Sequence, residues 1–160
     1  MQTSTGRRKE VTSRSLIIVT TLVVLDQITK LLVSANLRLN ESYPVLEGIF
    51  HITRVHNTGI AFGFFKGMLF IFIFLSIVVI FFIILNADRF RRGYACLQMG
   101  LLFVLAGTIG NLIDRIRLGY VIDFIDLQIW PVFNIADLAI TTGAILLIYH
   151  IIVISKGRKA

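Results

Sequence analysis

Long apolar runs separated by short polar clusters dominate the chain. Residues 15–35, 67–85, 94–113 and 135–154 are almost free of charge, and each has the roughly 20 residues that a helix needs to cross a ~30 Å hydrocarbon layer. The second run is the plainest. Its "MLFIFIFLSIVVIFFIIL" at 68–85 holds one hydroxyl and no charge. The longest connection, 36–66, behaves differently: across Val45–Val55 the apolar Ile49, Phe50, Ile52 and Val55 are interleaved with Glu47, His51, Thr53 and Arg54. That mixture suits one or two short strands rather than a helix. The pattern predicts an all-α integral membrane protein with four transmembrane helices and a small β-containing segment between the first and second, all in one domain spanning 1–160.

Composition agrees, with 56% hydrophobic residues and a mean hydropathy of +0.84 over 160 residues. The formal net charge of +7 would suit nucleic acid if it were pooled, but it is distributed by segment. Ten of the sixteen basic residues lie in 1–14, 86–93 and 156–159, against five in 36–66 and 114–117, with Lys30 inside a span. The positive-inside bias then puts both termini and the 86–93 loop in the cytoplasm, and 36–66 and 114–134 outside. The expected location is the bacterial plasma (inner) membrane, with no nucleic-acid partner. Residues 1–35 also have the outline of a cleavable signal peptide ending in "VSA" at 33–35, but Asp26 and Lys30 inside the apolar stretch argue for a retained helix. The single cysteine, Cys96, permits no intrachain disulfide.

Polar residues within the spans gather at one depth. Asp26 and Lys30 are four apart and share a helix face; about 16 Å along the first span at ~1.5 Å per residue, Asp26 lies past the midplane, and Lys30 is expected to snorkel outward. Asn111, Asp114 and Arg115 stand on one face where the third run leaves the membrane, and Asn134, Asp137 and Thr141 on one face where the fourth re-enters. Just outside the second run, "RVHNTGIAFGFF" supplies Asn57 and two glycines, Gly59 and Gly63, where backbone can approach a ligand closely.

This outward zone is rich in carboxylates: Asp26, Asp114, Asp123, Asp126 and Asp137. It has no thiol, and the two histidines of "HITRVH" are five apart in a predicted strand, a poor array for a metal. Neither metal nor cofactor is expected. Two close carboxyls sharing a proton can activate water and protonate a leaving amine, because like charges split their pKa values. Spacing alone does not choose the pair. A proton-coupled transporter would string ionisable groups across the whole depth, whereas the cytoplasmic half of every span here is apolar.

Four blocks in order carry a resemblance: "DQITK" at 26–30, "NTGIAFG" at 57–63, "GNLIDRIRLGYVIDFID" at 110–126 and "FNIAD" at 133–137. Together they resemble the signal peptidase II family, the membrane aspartic peptidases of bacterial lipoprotein maturation. The resemblance implies Asp123 and Asp137 as the catalytic pair, Asn57, Asn111, Arg115 and Asn134 as polar residues lining the site, and Asp26 as a supporting acid. It implies as substrate a diacylglyceryl-modified prolipoprotein, cut just before the lipidated cysteine at the outer face of the membrane, with membrane lipid around an enzyme expected to act as a monomer. Ile60 and Leu138 depart from the family pattern, which bears on pocket shape. Tyr43, Tyr120 and Trp130 fit an interfacial aromatic belt.

Overall fold

The computed structural model describes residues 4–58, 69–90 and 94–154. Helix α1 covers Ser4–Asn36, of which Ser13–Asn36 is long and apolar enough to cross a membrane. It ends where the Asn36 side-chain amide turns back to donate to the Leu32 carbonyl at 2.8 Å. Strands β1 (Ser42–Leu46) and β2 (Phe50–Asn57) follow as an antiparallel hairpin. Gly48 supplies the left-handed backbone, φ 70°, of its turn. Helix α2 (Leu69–Leu85) is apolar throughout and α3 (Ala87–Phe90) is a single turn. Helix α4 (Ala95–Leu118) stops at Gly119, which adopts φ 81° and donates its N–H to the Arg115 carbonyl. Strand β3 (Val121–Asp126) leads to helix α5 (Ile135–Tyr149), which finishes in a π-helical turn, His150–Ile154.

Helix α4 is the hub, packing against α5, α1 and α2. Its contact with α5 is made close by facing glycines. A Cβ on Gly143 would stand 2.6 Å from the Gly100 carbonyl oxygen, and one on Gly100 3.0 Å from that of Gly143. Small residues let helix backbones touch in this way where lipid provides no hydrophobic drive between helices.

The burial pattern is inverted relative to a water-soluble domain. The largest fully buried side chains are Lys30, Asn134, Asp26 and Asp123, whereas Phe70 is 78% exposed and Phe74 64%. An apolar exterior around a polar interior is stable in hydrocarbon, where every buried polar group must find an internal partner. The chain is an integral membrane protein. Among the described residues three helices have membrane-crossing length, Ser13–Asn36, Ala95–Leu118 and Ile135–Val153, while α2 is a shorter apolar helix of 17 residues.

Several expectations change. The hairpin appears where Val45–Val55 predicted strands, but the sheet has a third member from outside the expected segment between the first and second helices: β3, from the α4–α5 connection, pairs with β2 in the order β1-β2-β3. Helix α4 continues to Leu118, beyond the run ending at residue 113, because Asp114 finds buried partners and needs no water. Gly59, Gly63 and Ile60 lie outside the described residues.

Candidate active site

Asp26, Lys30 and Asp114 form the first polar cluster. The Lys30 ammonium donates to Asp26 Oδ2 and Asp114 Oδ2, each at 2.9 Å, and to Asn111 Oδ1 at 3.1 Å. An ammonium has three N–H donors, and all three are used. Asp26 Oδ1 accepts the Ala136 N–H at 2.9 Å, and Asp114 Oδ2 accepts that of Ile122 at 3.2 Å. Gln27 Nε2 reaches both acids, at 3.1 Å and 3.0 Å. The cluster thus ties α1 to α4, β3 and the first turn of α5. Gly110 makes room for it, since a Cβ there would stand 2.6 Å from Asp26 Oδ2.

The second cluster holds Asp123 and Asp137. Asn134 caps α5 in a reciprocal box: its side chain accepts the Asp137 N–H at 2.9 Å, and Asp137 Oδ2 accepts the Asn134 N–H at 3.2 Å. The remaining Asn134 amide nitrogen donates to Asp123 Oδ1 at 2.6 Å. One asparagine therefore joins the two acids. Asn57, at the end of β2, donates to Asp123 Oδ2 at 2.8 Å, and Asn111 donates to Asp137 Oδ1 at 2.8 Å. β3 delivers Asp123 because its register sets Val55 opposite Asp123 and Asn57 opposite Val121.

Burial pushes the Asp123 carboxyl up to about 6, with the neighbouring charge of Asp137 adding to the rise; the Asn57 and Asn134 hydrogen bonds and the Lys30 charge oppose it. Asp126, three residues on, goes the other way. The Thr53 hydroxyl at 2.7 Å and the Gln128 N–H at 2.9 Å hold it ionised, below the usual carboxylate range. Of the two acids of β3, only Asp123 is tuned to exchange a proton near neutrality.

An open cleft of about 230 Å³ adjoins Asp137, lined also by Asn111, Arg115, Phe72, Ser76 and Ile140. A larger cavity of about 410 Å³ lies elsewhere between α1, α2 and α4, and among the described residues no ionisable side chain lines it.

The structure brings Asp123, Asp137, Asn57, Asn111 and Asn134 into one hydrogen-bonded group and sets Asp26 beside it through Lys30. One expectation is corrected. Lys30 does not snorkel: it is 2% exposed, drawn inward by two carboxylates. Thr141, one turn after Asp137, is exposed. Arg115 lines the same cleft as Asn111 and Asp137, with its guanidinium over the Phe72 ring of α2 at 5.2 Å from the centroid. Sequence reasoning missed Gln27 as a structural donor, although it stands between Asp26 and the residues read from the same block.

The fold and site define a multi-pass membrane protein with two amide-bridged carboxylates beside a cleft. The family model described as signal peptidase (SPase) II matches residues 18–153, and the chain belongs to that family. Similar proteins include the lipoprotein signal peptidase of Halothermothrix orenii, 44% identical over 136 residues, covering 84% of this chain and 92% of that one. That of Moorella thermoacetica is 42% identical over 140 residues, covering 86% and 93%. Two solved structures described as bacterial membrane enzymes match with TM-scores of 0.82 and 0.78 at 30% and 31% identity. The first covers 88% of this chain and 94% of its own, the second 87% of each.

Proposed function

We propose that the chain hydrolyses diacylglyceryl-modified prolipoproteins just before the lipidated cysteine, by an aspartic mechanism run by Asp123 and Asp137. The observation that carries the reading is the bridge: Asn134 joins the two acids, its side chain donating to the Asp123 carboxylate and its backbone N–H to the Asp137 carboxylate, with Asp137 at the wall of a polar cleft. In this reading Asp137 is the general base, its carboxylate accepting from Asn111 and from the Asn134 backbone. Asp123, raised to about 6, carries the shared proton. Asp137 takes a proton from water as the hydroxyl adds to the scissile carbonyl carbon, and Asp123 gives its proton to the carbonyl oxygen. As the tetrahedral diol collapses, one of its hydroxyls returns a proton to Asp123, the C–N bond breaks, and the proton held by Asp137 passes to the departing amine. The products are a signal peptide ending in a carboxylate and a lipoprotein whose cysteine bears a free amino group. Arg115 or an asparagine amide can stabilise the developing oxyanion.

The same reading sets α2 as the fourth span, both termini in the cytoplasm and the sheet at the outer surface of the inner membrane, supported by the basic residues in 1–14 and 86–93. There the substrate's acyl chains stay in lipid while the amide meets water. The test incubates the purified protein in detergent with a diacylglyceryl-modified prolipoprotein and with its unmodified form. Cleavage of the first alone is expected; equal cleavage of both would remove the lipid from recognition, and cleavage of neither would sink the assignment.

A further inference from the structure

Lys30 has no part in the chemistry proposed above, yet it is buried at one end of an unbroken chain of hydrogen bonds that reaches Asp137. We infer that Lys30 is a positioning residue of the acid pair, acting through Asn111: its ammonium fixes which end of the Asn111 amide faces Asp137. The inference rests on Asp123 and Asp137 being the reacting acids.

A side-chain amide presents an acceptor at one end and two donors at the other, and its two orientations are otherwise similar in shape. The ammonium has donors only, so the atom of Asn111 that meets it at 3.1 Å must be the oxygen. The Asn134 amide nitrogen donates to that same oxygen at 3.1 Å. The Asn111 nitrogen is thereby turned to Asp137 Oδ1, where it donates at 2.8 Å. A reversed amide would set oxygen against carboxylate and leave the ammonium facing an N–H. Lys30 is itself immobile, because Asp26 and Asp114 hold its other two protons at 2.9 Å each and it is 2% exposed. The path Asp26/Asp114, Lys30, Asn111, Asp137 therefore runs from the cluster that ties the helices together to the proposed general base. Without Lys30, Asn111 is held only by the neutral Asn134 amide, and Asp137 loses a fixed donor.

Removing Lys30 alone strands two buried carboxylates, so the test conserves charge. Asp26, Lys30 and Asp114 sum to minus one (−1 + 1 − 1), and the double variant Lys30→Met/Asp26→Asn leaves Asp114 alone at minus one. Turnover is measured per folded molecule in detergent, in this variant, in Asn111→Ala and in the triple combination. The expected result is a fall in kcat of roughly ten- to a hundredfold for the double variant, the size of a lost charge-assisted hydrogen bond, with KM little changed. In the Asn111→Ala background the same two substitutions should lower kcat no further. An unchanged kcat in the double variant, or losses that simply multiply in the triple, would overturn the inference, since a scaffold role has no reason to vanish with Asn111. If the methionine form does not fold, Lys30→Gln in the Asp26→Asn background carries the same cycle and the same expectations, because its amide stops one bond short of Asn111. The premise is checked apart: turnover surviving in both Asp123→Asn and Asp137→Asn would refute the acid pair itself, whatever Lys30 does.

Discussion

Two pairs of aspartates stand within one hydrogen-bonded region, and they are held by different partners. Asp26 and Asp114 share the Lys30 ammonium and each accepts a backbone N–H, from Ala136 and Ile122. Asp123 and Asp137 receive only neutral donors: the side chains of Asn57, Asn111 and Asn134 and the Asn134 backbone. A cation in direct contact makes protonation of a carboxylate costly. Amides constrain geometry while leaving the proton exchangeable, and burial then brings the two states of Asp123 close in energy near pH 6. The contrast supports the proposed division, in which the lysine-held pair fastens helices and the amide-held pair reacts.

The comparison breaks first at Lys30. Lys30→Met leaves two buried carboxylates without their cation, and loss of one partner from a buried ionic group typically costs about 3–5 kcal/mol. The expected outcome is a large fall in melting temperature in detergent, mostly recovered by adding Asp26→Asn. A parental melting curve for Lys30→Met would show that the cluster does not fasten the bundle.

Asn134→Ala should act on the other pair. It removes the side-chain donor to Asp123 and the acceptor of the Asp137 N–H, and loss of one preorganised donor costs ~2.7–4 kcal/mol of barrier, roughly a hundredfold to a thousandfold in kcat. Loss of the α5 cap adds about 1 kcal/mol of instability, so turnover has to be normalised to folded protein. Near-parental turnover would mean that the bridge is architectural.

A smaller effect sharpens the contrast through pH. If Asp123 carries the required proton, kcat/KM falls as pH rises through about 6. The Asn57 hydrogen bond favours the ionised form, so Asn57→Ala should move that limb upward; a downward shift would contradict the assignment. The sign is the same for stability: a raised carboxyl contributes most below its ordinary range, and that contribution is lost as pH rises through about 6.

The smallest expected effect concerns depth. Trp130, the only tryptophan, is 67% exposed in the loop after β3, beside Ile129 at 91%. In reconstituted membranes its fluorescence should be quenched by brominated lipid, with little change in turnover on Trp130→Phe. Quenching by aqueous iodide alone would lift β3 and Asp123 away from the membrane surface.

Much of this was legible locally. The apolar runs dictated the helices, and "NIAD" at 134–137 has the spacing of a capping box, which fixes Asn134 against Asp137 within one turn. What stayed hidden depends on pairing across the chain. "VIDFID" becomes a strand because β2, some 66 residues earlier between Asn57 and Asp123, offers it an edge, and no local pattern records that offer. Likewise the i,i+4 spacing of Asp26 and Lys30 announced their contact, but Lys30 turned inward because Asp114, on another helix, shares its charge.

The division between the two pairs is tested most directly by Asp137→Asn and Asp26→Asn side by side, each assayed for melting and for cleavage of a diacylglyceryl-modified prolipoprotein per folded molecule. The account predicts that Asp137→Asn melts close to the parent and cleaves nothing above background, while Asp26→Asn melts lower and each molecule that remains folded still turns over. A folded, inactive Asp26→Asn together with an active Asp137→Asn would contradict it.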